Sequence, residues 1–249
     1  MNLRAMKTTV GIWLCLIGVF AIIHFAYLFA GIESDNRVIV DDALLTLLVL
    51  LLNKKYLQLK LHHQIDLSLN ELLRINSLPI FFYCVYIASW FVNLQNLSLM
   101  RIADTILLAL AAAVFEETFF RGILMNNILQ HSPRNPNSYL SAILVSSVLF
   151  GLTHMINLFG QSFSATLLQV INAFAIGVML AAIYLRTGSL KWTILYHFML
   201  DFTGILASGT VIIATPTLQK WVAVLVVDLL YISAGMILIR KSQEKKLEF

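Results

Sequence analysis

The sequence predicts an all-α, polytopic membrane protein, a bundle of about eight transmembrane helices around a polar intramembrane cavity. Of its 249 residues 59% are apolar and 12% are charged, and the mean hydropathy is +0.84. A soluble protein carries about 25% charged residues, so many of these apolar side chains must face lipid. We expect a single integral membrane domain, residues 1–249. The composition excludes a disordered chain, a disulfide scaffold and a nucleic-acid-binding module.

Eight apolar segments account for the predicted transmembrane helices. The first follows the basic residues Arg4 and Lys7 and is longer than the apolar region of a signal peptide, so we expect it to be retained. Between the second and third segments, residues 54–74 alternate charged residues with leucine, which predicts a helix on the membrane surface. The eight segments are residues 10–30, 38–52, 78–97, 103–130, 139–158, 163–185, 190–207 and 221–239.

The distribution of positive charge predicts the orientation of the chain. With eight spans and an inner N-terminus, all of the 17 Lys and Arg residues except Arg37, Arg101 and Lys220 lie on or near the inner side. Basic loops face the cytoplasm. We therefore expect both termini to be cytoplasmic, the protein to lie in a bacterial cytoplasmic membrane, and its surroundings to be the lipid bilayer, with no nucleic acid partner.

Several ionisable side chains are predicted at membrane depth, where a charged group costs about 2.5 to 3.5 kcal/mol. Glu117 and Arg121 are four residues apart, as are His197 and Asp201, so the members of each pair share a helix face. Because three helices carry such groups, we predict that they line one shared polar cavity. These side chains are Glu116, Glu117, Arg121, His154, His197 and Asp201.

Other polar residues in apolar segments have structural interpretations. Glu117 and Arg121, taken alone, are typical of a structural ion pair. Asp41 and Asp42 are expected at the outer interface, and Asp228 is expected to serve helix packing. For Glu117 and Arg121 this structural interpretation and a part in catalysis both stay open.

Three short motifs resemble those of the CPBP family, the CAAX proteases and bacteriocin-processing enzymes also called the Abi family. Residues 116–121, EETFFR, match the family motif EExxxR. Residues 150–154, FGLTH, match FxxxH, and residues 197–201, HFMLD, match HxxxN/D. The motifs occur in the family's order, and the resemblance covers a core of about residues 99–206. It implies an intramembrane endopeptidase.

The resemblance also implies roles for the motif residues. Glu116 would act as the general base that activates a water, and His154 would hold or share that water's proton. His197 and Asp201 would orient the site or stabilise the oxyanion of the tetrahedral intermediate. Family members often have Asn at the position of Asp201, and an ionised aspartate cannot donate a hydrogen bond to an oxyanion.

The resemblance also implies a role for the two supporting residues and an expectation about cofactors. Glu117 and Arg121 are expected to fix the fourth helix and the substrate backbone. The resemblance favours catalysis without a metal, so we expect no cofactor. Zinc bound by Glu116, His154 and His197 is the alternative, because carboxylate and imidazole suit that ion, although no HExxH helix is present.

Three classes of function remain open at this level. The first is an endopeptidase acting on a membrane-embedded or membrane-associated peptide or protein, for which the resemblance implies peptide pheromone or bacteriocin maturation, or self-immunity. The second is a non-proteolytic membrane scaffold or immunity protein that regulates a sensor or peptide receptor. The third is a transporter that relays protons through buried carboxylates, which predicts internal repeats and broken helices. The sequence shows no repeat.

Overall fold

The described part of the protein is helical. A computed structural model describes residues 3–31, 37–62, 67–94, 97–133 and 135–239, and no strand occurs among them. Two π-helical segments, Asn53–Leu57 and Thr118–Met125, and one 3-10 segment, His154–Phe159, extend the α-helices. The α-helices are α1 (Leu3–Ala30), α2 (Arg37–Leu52), α3 (Leu69–Ile75), α4 (Ser77–Asn93), α5 (Leu99–Glu117), α6 (Asn126–Gln130), α7 (Pro136–Thr153), α8 (Phe163–Thr187), α9 (Leu190–Ser208) and α10 (Leu218–Leu238).

Within the described part of the chain, four helices are long and apolar enough to cross a membrane. They are Leu3–Tyr27, Pro136–Phe159, Phe163–Thr187 and Leu218–Leu238. A fifth span results if α3 and α4, which are bent by 73° from one another, form one broken span. The predicted count of about eight is not confirmed, because α2 has only 16 residues and α5 includes Arg101, Asp104 and two glutamates.

Polar residues at the helix ends fix where the central helices begin. The side chains of Ser98, Asn135 and Ser162 each accept a backbone N–H at the start of α5, α7 and α8. Gly188 ends α8 in the left-handed conformation, with φ of 58°. Helix α9 begins directly after this turn and carries two of the predicted site residues.

Helix α8 is the centre of the bundle and packs against α7, α9 and α10. Its contact with α7 depends on small residues. A Cβ atom at Gly151 would lie 2.8 Å from the carbonyl oxygen of Val170, and one at Gly177 would lie 3.1 Å from Cβ of Ser147. Glycine therefore allows the two backbones to approach closely.

The predicted surface helix over residues 54–74 is wrong as one continuous element. The chain leaves the first π segment at Gln58, whose φ of 53° is left-handed, and α3 begins only after the capping box of Ser68 and Glu71. The side chain of Asn53 explains the break, because it exchanges two hydrogen bonds with the backbone of Leu59 and turns the chain. Residues 63–66 lie outside the described residues.

The first helix is attached to the bundle by polar contacts. Asn127 donates to the carbonyl oxygen of Ala5 and to Oγ1 of Thr9, and Trp13 donates to Oγ1 of Thr153. The basic tail, residues 240–249, and residues 1–2 lie outside the described residues. The cytoplasmic location of both termini therefore stays a prediction.

Candidate active site

The predicted site residues of two motifs meet where α5 packs against α9. Glu116 and Glu117 are the last two residues of α5. The π-helical segment Thr118–Met125 follows directly and carries Arg121. His197 and Asp201 lie one turn apart on α9. π-Helical insertions are frequent at functional sites. We call Glu116, Glu117, Arg121, His197 and Asp201 the Glu–His cluster.

Glu117 is the buried centre of the Glu–His cluster. Arg121 donates from Nη1 to Oε1 of Glu117 at 2.6 Å, and Nδ1 of His197 lies 2.9 Å from the same oxygen. The side chains of Glu117 and Arg121 are completely buried. A carboxylate only accepts hydrogen bonds, so Nδ1 of His197 carries a proton. The predicted ion pair between Glu117 and Arg121 is present, and it also fixes the histidine of the third motif.

Arg121 joins the Glu–His cluster to α7 and α8. Its Nη2 donates to the carbonyl oxygen of Gly177 at 3.1 Å. Its Cζ atom lies 4.8 Å from the centre of the Phe150 ring, a cation–π contact. The guanidinium therefore touches three elements besides its own, and this holds Glu117 in place.

The other ring nitrogen of His197 faces the accessible side of the cluster. Nε2 lies 3.3 Å from Oε2 of Glu116 and 3.5 Å from Oδ2 of Asp201. The side chains of Glu116 and Asp201 are 23% and 32% exposed, whereas that of His197 is 6% exposed. The cluster thus has a closed base at Glu117 and an open face at Glu116 and Asp201.

His154 lies beside the Glu–His cluster. It is the first residue of the 3-10 segment, and its Nδ1 is 3.0 Å from the carbonyl oxygen of Phe150. Because a carbonyl oxygen only accepts, Nδ1 is the protonated nitrogen and Nε2 of the neutral ring is the acceptor. The Phe150 ring packs edge-on against both His154 and His197, with centroids 5.1 Å and 5.7 Å away. His154 interacts electrostatically with His197.

Sequence reasoning missed three contributors to the site. Phe150 is recognised in the sequence only as the first residue of its motif, although its ring contacts Arg121. Gly177 could not be found from the sequence, because it contributes a backbone carbonyl oxygen, which every residue has. Asp42 was expected at the outer interface, but it is buried and interacts electrostatically with Glu116 and Asp201. An acidic residue near the start of an apolar helix does not reveal which helix it will face.

The described residues do not form a ready-made metal site. No group of three or more His, Cys, Asp or Glu side chains among them is arranged to hold a metal ion. Catalysis without a metal and the zinc alternative both stay predictions.

Comparison with protein families identifies the central segment. Residues 98–203 match the family described as type II CAAX prenyl endopeptidase Rce1-like. This segment, less than half of the chain, is therefore similar to the CPBP family. All three CPBP motifs lie within the matched residues, and the apolar helices together with the family indicate an integral membrane protein. No curated protein and no solved structure matches the chain.

Proposed function

We propose that this chain, whose central segment resembles the CPBP family, is an intramembrane endopeptidase in which Glu116 activates a water molecule for attack on a peptide bond. The observation that supports this most is the geometry around His197. Glu117 holds Nδ1, so Nε2 is directed at the carboxylates of Glu116 and Asp201 on the accessible side. The proposed general base, Glu116, and the proposed hydrogen-bond donor, Nε2 of His197, therefore lie 3.3 Å apart. This is close enough for both to act on the same peptide bond.

The first step is the attack of water. The carboxylate of Glu116 takes a proton from the water, and the water oxygen forms a bond to the carbonyl carbon of the substrate. The neutral ring of His154 keeps Nε2 free to accept a hydrogen bond from the same water, because Nδ1 is committed to Phe150. A positioned general base contributes about 10²- to 10⁴-fold to the rate.

The second step is stabilisation of the negative charge that develops on the carbonyl oxygen. His197, protonated on both nitrogens, donates from Nε2 to this oxygen. Its position is set in advance by Glu117, which Arg121 holds, so the ring need not reorganise as charge develops. A lost donor of this kind costs about 10²- to 10³-fold in rate.

The third step is departure of the amine. The carbon–nitrogen bond breaks, and the proton that Glu116 took from the water passes to the leaving nitrogen. The products are a new amine and a new carboxylic acid, which releases its remaining proton to solvent and becomes a carboxylate, and Glu116 returns to its ionised state. Asp201 is a positioning residue in this scheme, since its Oδ2 lies 3.5 Å from Nε2 of His197 and it has no proton to donate when ionised.

The substrate we propose is a membrane-embedded or membrane-associated peptide or protein in a bacterial cytoplasmic membrane. A site on helices of an apolar bundle suits a peptide bond presented from the bilayer. Maturation of a peptide pheromone or bacteriocin, or self-immunity against such a peptide, is the role that the family membership supports. A small precursor peptide encoded next to this protein would identify the substrate.

The test is peptide cleavage by the purified protein in liposomes. A complex mixture of membrane-active peptides is incubated with the wild type, Glu116→Gln and an inactive control without protein, and new termini are identified by mass spectrometry. We expect the wild type to create new termini and Glu116→Gln to create at least about 100-fold fewer. Equal cleavage by the two proteins would refute the role of Glu116. If no peptide is cut while the wild type alters a sensor or receptor in cells as effectively as Glu116→Gln does, the protein acts by binding.

A further inference from the structure

A third carboxylate, that of Asp42, lies on the face of α2 that packs against α5, outside the family-matched core. Asp42 belongs to α2, and its residue is 7% exposed. Asp42, Leu45 and Val49 are the buried residues of α2 and follow one another along one face. Leu45 and Val49 pack in one apolar cluster with Phe115 and Phe119, which lie one residue before and three residues after Glu116 in the chain. The same face of α2 therefore brings Asp42 to α5.

The charges around Asp42 are negative on three helices. Asp42 interacts electrostatically with Asp201 of α9 and with Glu116 of α5, as well as with its neighbour Asp41. We call Asp42, Glu116 and Asp201 the acidic face. Asp42 lies more than fifty residues before the matched segment, 98–203, so its position is a property of this chain's own α2.

Asp42 differs from the carboxylates of the Glu–His cluster in having no side-chain partner among the described residues. Glu117 pairs with Arg121 and His197, and Glu116 and Asp201 both face Nε2 of His197. For Asp42, the described residues provide only a hydrogen bond from Thr46 to its backbone carbonyl oxygen. A buried charge without a partner is strongly unfavourable. A cation that arrives with the substrate would supply that partner.

We propose that Asp42 is a specificity-determining residue that binds a lysine or arginine side chain of the substrate, close to the scissile bond. The inference rests on the proposed function, because it assigns a substrate class to the same site. A basic side chain can lay its apolar stem along the helices while its charged end pairs with the carboxylate. An acidic side chain would instead be repelled by three carboxylates.

The experiment compares the sequences around the cleavage sites of the liposome assay. We expect lysine and arginine to be enriched near the bond cut by the wild type, and Asp42→Asn to lose that enrichment by about 10-fold, in line with the loss of a hydrogen bond to a charged group. Asp42→Lys should favour acidic residues at the same position. Asp41→Asn is the matched control, because Tyr27 donates to its Oδ1 at 2.8 Å and it lies beside Asp42. It should keep the wild-type preference.

A second measurement needs no variant, which matters if Asp42→Asn fails to fold. Two peptides that differ only by lysine against norleucine at the enriched position are compared with the wild type, and we expect kcat/KM to be about 10-fold higher for lysine. Cleavage without a basic preference, or the same preference in Asp42→Asn, overturns the role of Asp42 and leaves the endopeptidase intact. Absence of any cleavage by the wild type overturns the proposed function and this inference with it.

Discussion

Breaking the buried pair of Glu117 and Arg121 tests how the site is held together. In Glu117→Gln the Arg121 guanidinium keeps its charge but loses the carboxylate oxygen 2.6 Å away. It keeps the carbonyl oxygen of Gly177 and the face of Phe150, neither of which carries a full negative charge. Both members of the pair are completely buried, so solvent cannot replace the missing partner.

The expected magnitude follows from this burial. Removing one partner of a buried ion pair costs about 3 to 5 kcal/mol of stability, and we expect Glu117→Gln and Arg121→Met each to fall in this range. Replacing both partners removes the uncompensated charge, so the double variant should be less destabilised than the sum of the singles by about 2 to 3 kcal/mol. Its activity should not recover. Nδ1 of His197 has lost its carboxylate in the double variant, and a misplaced ring costs about 100-fold in rate.

The assay is a double-mutant cycle on purified protein, with unfolding and peptide cleavage measured on the same samples. Glu116→Gln is the matched control, since it is the same substitution one residue away in a side chain that is 23% exposed. It should remove activity while stability stays near that of the wild type. Additive destabilisation by Glu117→Gln and Arg121→Met, or a double variant with full activity, would show that the pair does not position His197.

Three further predictions test the donor, the cofactor and the topology. His197→Ala should reduce cleavage by about 10²- to 10³-fold. Asp201→Asn should stay within about fivefold of the wild-type rate, because a positioning role needs no charge. Equal losses of activity in the two variants would contradict these roles. Strong chelators should leave the activity of the purified protein unchanged, and loss on chelation with recovery on adding one equivalent of zinc would favour the metal site. Reporters fused after residues 33 and 159 should be found outside the cell, and a cytoplasmic signal at either would refute the predicted orientation.

Local spacing in the sequence predicted the parts of the site that lie within one helix. Glu117 and Arg121 are four residues apart and pair, even though a π-helical segment begins between them. His197 and Asp201 are also four apart and lie within 3.5 Å of each other. In these cases helix geometry alone decides which side chains meet.

Contacts between helices could not be predicted in the same way. Glu117 reaches His197, 80 residues along the chain, and no spacing rule relates α5 to α9. Asp42 is buried against the acidic face because Leu45 and Val49 pack on the phenylalanines around Glu116. The tertiary packing of apolar side chains decides both contacts. The predicted number of spans is not confirmed for a related reason, since short or charged helices such as α2 and α5 do not reach the length and apolarity of a membrane span by themselves.

In the proposed mechanism Glu116 activates water for direct attack on the peptide bond. The most direct test of this step is a single turnover in H₂¹⁸O with excess purified protein and one cleaved peptide, followed by mass spectrometry of the product and of the protein. We expect one ¹⁸O atom in every new carboxylate, none in the side chain of Glu116, and no product from Glu116→Gln under the same conditions. Label in the Glu116 carboxylate, which indicates a covalent intermediate, or normal cleavage by Glu116→Gln would contradict this mechanism.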